Sequence, residues 1–377
     1  MARTVFGIIG CGGIAQSQHL PNLTRAPHVW LKTLCDRRED VARAMQAKYS
    51  VPNLATNHAA LLADPEIQAV VVATREDMQA QLTIEALRAG KHVYVEKPLA
   101  NTAEECAAVV SAQQQSGKHV AAGFNRRFAP AYVRARELLH LDGGPQNVHY
   151  RISDEYWRWG AGYPPGVRVI HEVCHIFDLL RWLTGSDVAS IYCVQSRADD
   201  EALVLRFASG CVATIMNCGY ATMDCPKERL EAFSRRGGVF VEEYVELYAF
   251  GYPGVQPRET FAGHTHPDRE FTHKYLLEKG GAESLLLLRR MGWELRERAE
   301  RAADAPDKQE VERYVKERSP HWNYMVDKGW LSALDHFAAC VQQGAAPRNA
   351  TAHDALQASL LAHAAIRSRE SGTVVNM

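Results

Sequence analysis

A short apolar segment that runs directly into a glycine-rich turn restricts the fold of this chain more than any other feature. Residues 5–9 are continuously apolar, which is typical of a strand buried on both faces of a parallel sheet. The next residues fit G-x-G-x-x-A, and the candidate cofactor-binding residues there are Gly10, Gly12, Gly13, Ile14 and Ala15. In this pattern the first glycine makes a tight turn, the second admits a pyrophosphate, and the third small residue packs the helix on the strand. The helix N-terminus then offers N–H groups to phosphates, so the segment predicts a dinucleotide site.

An acidic residue at the end of the next predicted strand favours NAD over NADP. Residues 29–35 indicate a strand, and Asp36 follows them. A carboxylate at this position suits the ribose 2′-hydroxyl and repels a 2′-phosphate. Arg37 and Arg38 keep NADP open as an alternative, because guanidinium groups beside the ribose would hold that phosphate; otherwise they begin a solvated helix.

Strands and helices continue to alternate along the first third of the chain. Residues 69–74 and 93–95 are two more buried strands, and helices over about 77–89 and 102–116 each end at a glycine. Such alternation predicts an α/β fold, a doubly wound parallel sheet of the Rossmann type. We expect this domain to cover residues 1–122.

The pattern changes after residue 146 to short runs of β-branched and aromatic residues separated by turns. These runs predict a C-terminal α+β domain over residues 123–377, with a large and mostly antiparallel sheet. A helix over 169–184 interrupts the strands, and helices over about 323–343 and 351–369 close the fold.

Composition excludes several classes of function. The formal net charge is -1 and the pI is near 7, so nothing indicates a nucleic-acid or membrane partner. No apolar run approaches the roughly 20 residues of a membrane span. The nine cysteines are dispersed without C-x-x-C pairs, which is typical of reduced thiols, and we expect a cytoplasmic protein.

Glu96, Lys97 and Pro98 stand where the predicted strand 93–95 ends. In an open α/β sheet, ligands bind outside the carboxyl ends of the strands. Proline fixes its φ, so this turn would hold the Lys97 ammonium in one place beside a bound molecule. The alternative is an ordinary exposed lysine in a surface turn.

The helix predicted over 169–184 carries one polar stripe, whose members lie within about 60° of one another: His171, His175, Asp178 and Trp182. Buried polar groups need partners, which are either a substrate or core carbonyls. The consecutive residues His171-Glu172-Val173-Cys174-His175 also spell H-E-x-x-H, a zinc-protease signature. We find no clear third ligand downstream, so we expect no metal site, with a metal ion in a sugar site as a minor alternative.

An aromatic and polar loop precedes this helix. Sugars stack their C–H faces on aromatic rings and need polar partners for their hydroxyls. The candidate substrate-binding residues are therefore Tyr156, Trp157, Arg168 and Asp178. The alternative is a packed loop without a ligand.

Together these motifs resemble the Gfo/Idh/MocA family (glucose-fructose oxidoreductase, inositol dehydrogenase and rhizopine catabolism). The segments that carry the resemblance are Gly10-Cys11-Gly12-Gly13-Ile14-Ala15, Ala73-Thr74, Gly90-Lys91-His92-Val93 with Glu96-Lys97-Pro98, and Gly123-Phe124-Asn125-Arg126-Arg127-Phe128. The resemblance implies two domains, a tightly held nicotinamide cofactor and redox chemistry on sugars or polyols. The sequence departs from the family after Thr74, where Arg75, Glu76 and Gln79 replace the usual Pro-Asn-x-x-His.

The resemblance also implies roles for individual residues. We expect Lys97 to be the proton relay or to polarise the reacting oxygen, and His175 matches a family histidine that reaches the substrate. The family has an acid four residues earlier; His171 occupies that position here, and neighbouring Glu172 is the alternative carboxylate. Thr74, Glu96, Arg126 and Arg37 complete the expected cofactor contacts.

The primary hypothesis is an NAD-dependent dehydrogenase, with NADP as a possible cofactor, acting on a secondary alcohol of a sugar, sugar derivative or cyclitol. One alternative is glycoside cleavage through transient oxidation with the NAD recycled. Another is a non-catalytic NAD-sensing protein. The family uses its open sheet for subunit contacts, so we expect a homo-oligomer, either a dimer or a tetramer.

Overall fold

The computed structural model describes residues 3–261, 263, 273–302, 307–318 and 326–377. The chain forms two compact units that are not contiguous in sequence. The first contains Met1–Phe128, Phe177–Leu179 and Gly329–His363, and the second contains Ala129–Ile176, Leu180–Lys328 and Ala364–Met377. The domain boundary that we place after residue 122 stays a prediction.

The first unit is built on a six-stranded parallel sheet. Its strands are β1 (Thr4–Ile9), β2 (Val29–Cys35), β3 (Asn53–Ala55), β4 (Ala69–Val72), β5 (His92–Val95) and β6 (Val120–Ala122). The spatial order is β3-β2-β1-β4-β5-β6, so the direction of winding reverses between β1 and β4. In a doubly wound fold, ligands bind in the crevice outside the carboxyl ends of the strands at such a point. The predicted α/β Rossmann class is confirmed.

Five helices of this unit lie between its strands, and helical residues within Gly329–His363 also belong to it. They are α1 (Leu20–Arg25), α2 (Glu39–Tyr49), α3 (His58–Leu62), α4 (Glu76–Arg88) and α5 (Ala103–Ser116). A π-helical turn over Ala15–His19 precedes α1, and a 3₁₀ turn over Asn125–Phe128 follows β6.

The second unit is built on a nine-stranded sheet that is antiparallel except between two neighbours. Its strands are β7 (Asn147–Ser153), β8 (Val188–Arg197), β9 (Asp200–Phe207), β10 (Val212–Cys218), β11 (Glu228–Phe233), β12 (Gly238–Glu242), β13 (Glu246–Phe250), β14 (Arg258–Thr260) and β15 (Val375–Asn376). The order is β14-β13-β12-β11-β7-β10-β9-β8-β15, and β7 runs parallel to β10. Buried and exposed residues alternate along β9 and β10, so one face of these strands is covered and the other is open. The predicted large, mostly antiparallel sheet is confirmed.

The remaining helices in the described ranges are α6 (Pro130–Leu141), α7 (Tyr156–Trp159), α8 (Cys174–Thr184), α9 (His273–Arg301), α10 (Lys308–Arg318), α11 (Trp330–Gln343) and α12 (Ala352–Ser371). The helix predicted over 169–184 begins differently from our expectation: Val169–Val173 form a π-helical turn before α8. In α9 the backbone is non-helical at Gly281, where φ is 57°. Among the described residues, no helix combines the length and the apolar character that crossing a bilayer requires.

The helix α11 belongs to the first unit although it follows the second sheet in sequence. The Phe337 ring contacts the rings of Phe6 on β1 and Tyr94 on β5, at centroid distances of 6.4 and 5.9 Å. Ala333, Leu334 and Ala338 of the same helix are also buried in this core. The covered face of the parallel sheet is therefore completed by a late segment of the chain.

Candidate active site

The glycine loop after β1 has the backbone geometry that a dinucleotide requires. Gly10 has a φ of +100°, and a Cβ there would lie 2.3 Å from the Ala73 carbonyl oxygen, so only glycine fits. At Gly12 and Gly13 an added Cβ would meet nothing within 4 Å. The backbone of these two residues is thus open to a ligand, while Ala15 is buried at the start of the helix.

Asp36 is oriented by the backbone on both sides of it. Its Oδ2 accepts a hydrogen bond from the Cys11 N–H at 2.8 Å, and its Oδ1 accepts one from the Arg38 N–H at 2.9 Å. Arg37 is exposed to solvent. A carboxylate held beside the glycine loop fits a cofactor with a free ribose 2′-hydroxyl, as NAD has.

Cys11 lies inside this loop with a protected thiol. Burial, assisted by the nearby Asp36 charge, raises the pKa of the Cys11 thiol to about 12. The thiolate is the reactive form of cysteine, so this side chain is inert at neutral pH.

The end of β4 carries the departure from the family pattern noted in the sequence. Thr74 is half-buried, and its carbonyl oxygen accepts a hydrogen bond from Gln79 Nε2 at 3.3 Å. Gln79 is buried, and its Oε1 has no hydrogen-bond partner among the described residues. The amide thus fixes the turn after β4 where the family has a histidine.

A buried hydrogen bond between an imidazole and a carboxylate holds the turn that contains Lys97. His19 Nε2 lies 2.7 Å from Glu96 Oε1, and Glu96 Oε2 accepts the Lys97 backbone N–H at 3.0 Å. Burial alone would raise the pKa of Glu96, but the His19 hydrogen bond and the Lys97 charge outweigh it and hold that pKa below its ordinary range. Gly123 packs against this carboxylate, since a Cβ there would lie 3.1 Å from Glu96 Oε2. The sequence did not single out His19 or Gly123 for this task.

Residues after β6 form a second charged cluster in the first unit. Arg126 is buried in the 3₁₀ turn. Its neighbour Arg127 donates two hydrogen bonds to the wholly buried Asp178 carboxylate, at 2.8 and 2.5 Å, and lies 3.2 Å from Asp354. The opposing carboxylates, which outweigh burial, raise the pKa of Arg127. Asp178, expected to contact substrate, is therefore engaged in an internal ion pair.

His171 and Tyr156 meet in the second unit. The Tyr156 hydroxyl lies 3.2 Å from His171 Nδ1, and the Tyr163 ring lies 4.0 Å from the imidazole, measured between centroids. Burial raises the pKa of Tyr156, which keeps its hydroxyl protonated. His175 is buried near the start of α8. We had expected His171 and His175 to share one regular helix. Because the π-helical turn ends between them, they do not.

Glu172 and Arg168 are joined through Asp154, which lies in the aromatic and polar loop, and Lys227, which the sequence did not identify. Arg168 Nη2 donates to Asp154 Oδ1 at 2.9 Å, and Lys227 Nζ lies 2.9 Å from Asp154 Oδ2 and 3.0 Å from Glu172 Oε1. Arg168 is fully buried. Lys227 stands directly before β11, and no local pattern marks it as a partner of the distant Glu172.

A cavity of about 130 Å³ lies beside this cluster. Its lining consists of Ser153, Asp154, Glu155, Trp159, Thr222, Met223, Cys225, Lys227 and Arg289.

Trp157 is 43% exposed, and its Nε1 donates to the Ala221 carbonyl at 3.1 Å. In the described part of the chain, no three His, Cys, Asp or Glu side chains are grouped so that they could hold a metal ion.

Models of a known family match both parts of the chain. Residues 4–124 match the Oxidoreductase family, NAD-binding Rossmann fold, and residues 134–240 match the GFO/IDH/MocA C-terminal domain. The open backbone at Gly12 and the oriented Asp36 fit this cofactor, which is NAD.

Known relatives agree with this match. The chain is 30% identical over 232 residues to Inositol 2-dehydrogenase 2 of Saccharopolyspora erythraea, covering 57% of this chain and 67% of the relative. It is 27% identical over 259 residues to Myo-inositol 2-dehydrogenase of Thermotoga maritima, covering 64% and 75%.

The fold is also similar to a solved structure. Scyllo-inositol dehydrogenase from Lactobacillus casei, solved with bound NAD(H) and scyllo-inositol, aligns over 99% of both chains with a TM-score of 0.71 and 15% identity. At this identity the likeness concerns the fold. The two family models and the relatives establish that this chain is a member of the Gfo/Idh/MocA oxidoreductase family.

Proposed function

We propose that the protein is an NAD-dependent dehydrogenase that oxidises a secondary alcohol of a sugar, sugar derivative or cyclitol. Membership of an oxidoreductase family supports the reaction class. Two relatives named as inositol 2-dehydrogenases support the substrate class. Within that class, an uncharged polyol ring is our first candidate.

The observation that carries the proposal is the buried support of Lys97. Glu96 is fixed by His19 on one side and bonded to the Lys97 backbone on the other, at 2.7 and 3.0 Å. This support immobilises a lysine at the carboxyl end of β5, in the same unit as the glycine loop. A surface turn needs no such buried carboxylate, so the arrangement favours a functional lysine.

In the proposed reaction, NAD supplies the hydride acceptor when it is bound. Lys97 then takes the hydroxyl proton from the carbinol, or polarises its oxygen, as the hydrogen at the carbinol carbon departs with its electron pair. Transfer to a lysine requires the neutral amine. His175 is the other candidate base, because an imidazole exchanges protons near neutral pH.

The remaining residues have proposed supporting roles. Tyr156 and Trp157 offer aromatic faces to a sugar ring, and Arg168 supports Asp154 beside the cavity. The Tyr156–His171 contact adds a second proton-bearing pair, which favours glycoside cleavage with NAD recycling as the second candidate function. Arg126 is proposed to border the nicotinamide.

The test measures NADH formation and product composition together. The purified protein is incubated with NAD or NADP and a panel of sugars, cyclitols and glycosides. We expect NADH to accumulate with a polyol, and Lys97→Ala to lower kcat/KM at least about 100-fold, as expected when a general base is lost. Lys48→Ala, an exposed lysine on α2, is the matched control and keeps wild-type activity.

The outcomes separate the three hypotheses. NADH that rises with a polyol and disappears in Lys97→Ala supports the dehydrogenase. Cleavage of a glycoside without net NADH contradicts it and supports the recycling reaction. NAD binding without turnover of any compound in the panel supports a sensor.

A further inference from the structure

Lys227 joins two carboxylates at the wall of the cavity. Its Nζ lies 2.9 Å from Asp154 and 3.0 Å from Glu172, and its side chain is 14% exposed. Burial alone would lower the pKa of Lys227, but the negative charges of Asp154, Glu172 and Glu228 outweigh burial and raise it, so the group stays a cation at neutral pH. An ammonium has three N–H donors, and these two contacts leave one for a group in the cavity.

The charges of the cavity lining and its direct partners cancel. The cations are Arg168, Lys227, Arg289 and Arg296, and the carboxylates are Asp154, Glu155, Glu172 and Glu243. Arg289 pairs with Glu243, and Arg296 Nη1 donates to Glu155 Oε2 at 2.7 Å. Among the described residues, four positive charges therefore face four negative ones.

This balance disfavours a charged ligand group. Moving an ion out of water is energetically unfavourable, and only a close, unpaired counter-charge offsets that cost. Each carboxylate and each cation here already has a partner of opposite sign. A hydroxyl both donates and accepts hydrogen bonds, so it satisfies Lys227 and Asp154 alike without a net charge.

We propose that this cavity receives an uncharged, hydroxyl-bearing part of the substrate, and that Lys227 sets the preference for it over amino sugars and sugar acids. The inference rests on the proposed function, since it takes a sugar or cyclitol as the ligand. Lys227 acts here as a specificity-determining residue: it cancels one of two adjacent carboxylates and offers its third N–H to a hydroxyl.

The test compares binding of glucose, protonated glucosamine and glucuronate, measured by titration calorimetry in the presence of NAD. Four proteins are compared: wild type, Lys227→Met, Glu172→Gln and the double variant. The first substitution leaves the cluster of Asp154, Glu172, Lys227 and Arg168 with a net charge of -1, the second with +1, and the double variant is neutral again. Lys227→Arg keeps the charge and is the conservative control.

We expect wild type to bind glucose best. Lys227→Met shifts the ratio of affinities about tenfold toward glucosamine, and Glu172→Gln shifts it about tenfold toward glucuronate, because one unit charge acts over a few ångströms in a partly buried site. The double variant and Lys227→Arg return to the wild-type order. If Lys227 had a merely structural role, its replacement would weaken the binding of all three ligands by the same factor, and the double variant would bind them most weakly.

Stronger binding of either charged sugar by wild type overturns the proposal, and so does an unchanged order in both single variants. Should Lys227→Met fail to fold, as judged by circular dichroism, Glu172→Gln alone tests the proposal. A shift of its affinity ratio toward glucuronate supports the proposal, and no shift or the opposite shift overturns it. The readout is binding, so it does not depend on turnover. Absence of NADH with the expected order of affinities therefore counts against the proposed reaction and not against the cavity preference.

Discussion

Gly10 and Gly12 have different roles in the cofactor loop, and replacing each of them by alanine distinguishes the two roles. A Cβ at Gly10 collides with the Ala73 carbonyl in a backbone region unsuited to alanine, whereas a Cβ at Gly12 meets nothing. We expect Gly10→Ala to lower the free energy of unfolding of the apoprotein by about 2 kcal/mol or more. Gly12→Ala should leave it within about 0.5 kcal/mol.

The two variants are compared again in NAD binding. Gly12→Ala is expected to weaken NAD at least about tenfold, because its methyl group occupies the space through which the backbone approaches the pyrophosphate. Denaturant unfolding of the apoprotein and calorimetric titration with NAD supply the measurements. Equal affinity in wild type and Gly12→Ala would contradict this role for the loop.

Glu96 gives the protein a defined response to acid. Its pKa is lower in the folded protein than its ordinary value of 4.5, so it stabilises the fold fully above that value. This contribution is lost as pH falls through the lower folded-state pKa. Glu96→Gln leaves His19 without its anionic partner, and we expect it to cost about 3 kcal/mol at neutral pH.

The difference between wild type and Glu96→Gln should then shrink steadily below about pH 4.5. Urea unfolding over a pH series measures it. Glu104→Gln, on the exposed surface of α5, is the control and should stay within about 0.5 kcal/mol of wild type. A gap that widens toward acid would show that Glu96 is protonated in the folded protein.

At the scale of elements, Phe337 tests whether α11 completes the core of the first unit. Its ring contacts Phe6 and Tyr94 and is fully buried. We expect Phe337→Ala to reduce the free energy of unfolding by about 3–5 kcal/mol, as removal of a buried ring usually does. Leu141→Ala, at a side chain that is 74% exposed, should change little in the same denaturant titration.

Sequence patterns predicted those strands, turns and helices that are determined by residues close together in the sequence. The apolar run of β1 and the glycines after it indicate strand, turn and helix within a dozen residues, and β9 and β10 show alternation along their length. The short β3 and α3 were not predicted, since three and five residues carry too little periodicity. The π-helical turn before α8 has no sequence signature of that kind either.

The candidate site was predictable only where neighbours in sequence are neighbours in space. The glycine loop and the Lys97 turn belong to that class. The partners of Glu96 and Glu172 are His19 and Lys227, and these contacts form only when separate elements pack together. The carboxylate of Asp178 is a suitable group for a substrate contact. Its ion pair with Arg127, however, depends on packing between segments that are distant in sequence.

At the scale of the whole molecule, the open face of the large sheet predicts self-association. Val194, Val204 and Met216 are each 43–46% exposed on neighbouring strands, and Met216 pairs with Ala202 across β9 and β10. A contiguous apolar patch of this kind usually marks a contact surface. We predict a homo-oligomer in which this face is covered by a second copy.

Light scattering after gel filtration tests this prediction. We expect the wild-type mass to be that of a dimer or tetramer, and the double substitution Val204→Glu with Met216→Glu to reduce it, because buried like charges would oppose each other across the contact. Leu141→Glu, an exposed apolar residue outside the sheet, should leave the mass unchanged. A monomeric wild type would contradict the prediction.

The late position of α11 has a consequence for the order of events during translation. Phe337 must reach Phe6 and Tyr94 before the core of the first unit is closed, yet the whole large sheet except β15 is synthesised in between. A nascent chain that has released β1 to β6 therefore still exposes the part of its parallel sheet that α11 covers. Such surfaces are the ones that chaperones protect, so this part of the sheet stays dependent on protection until α11 has left the ribosome.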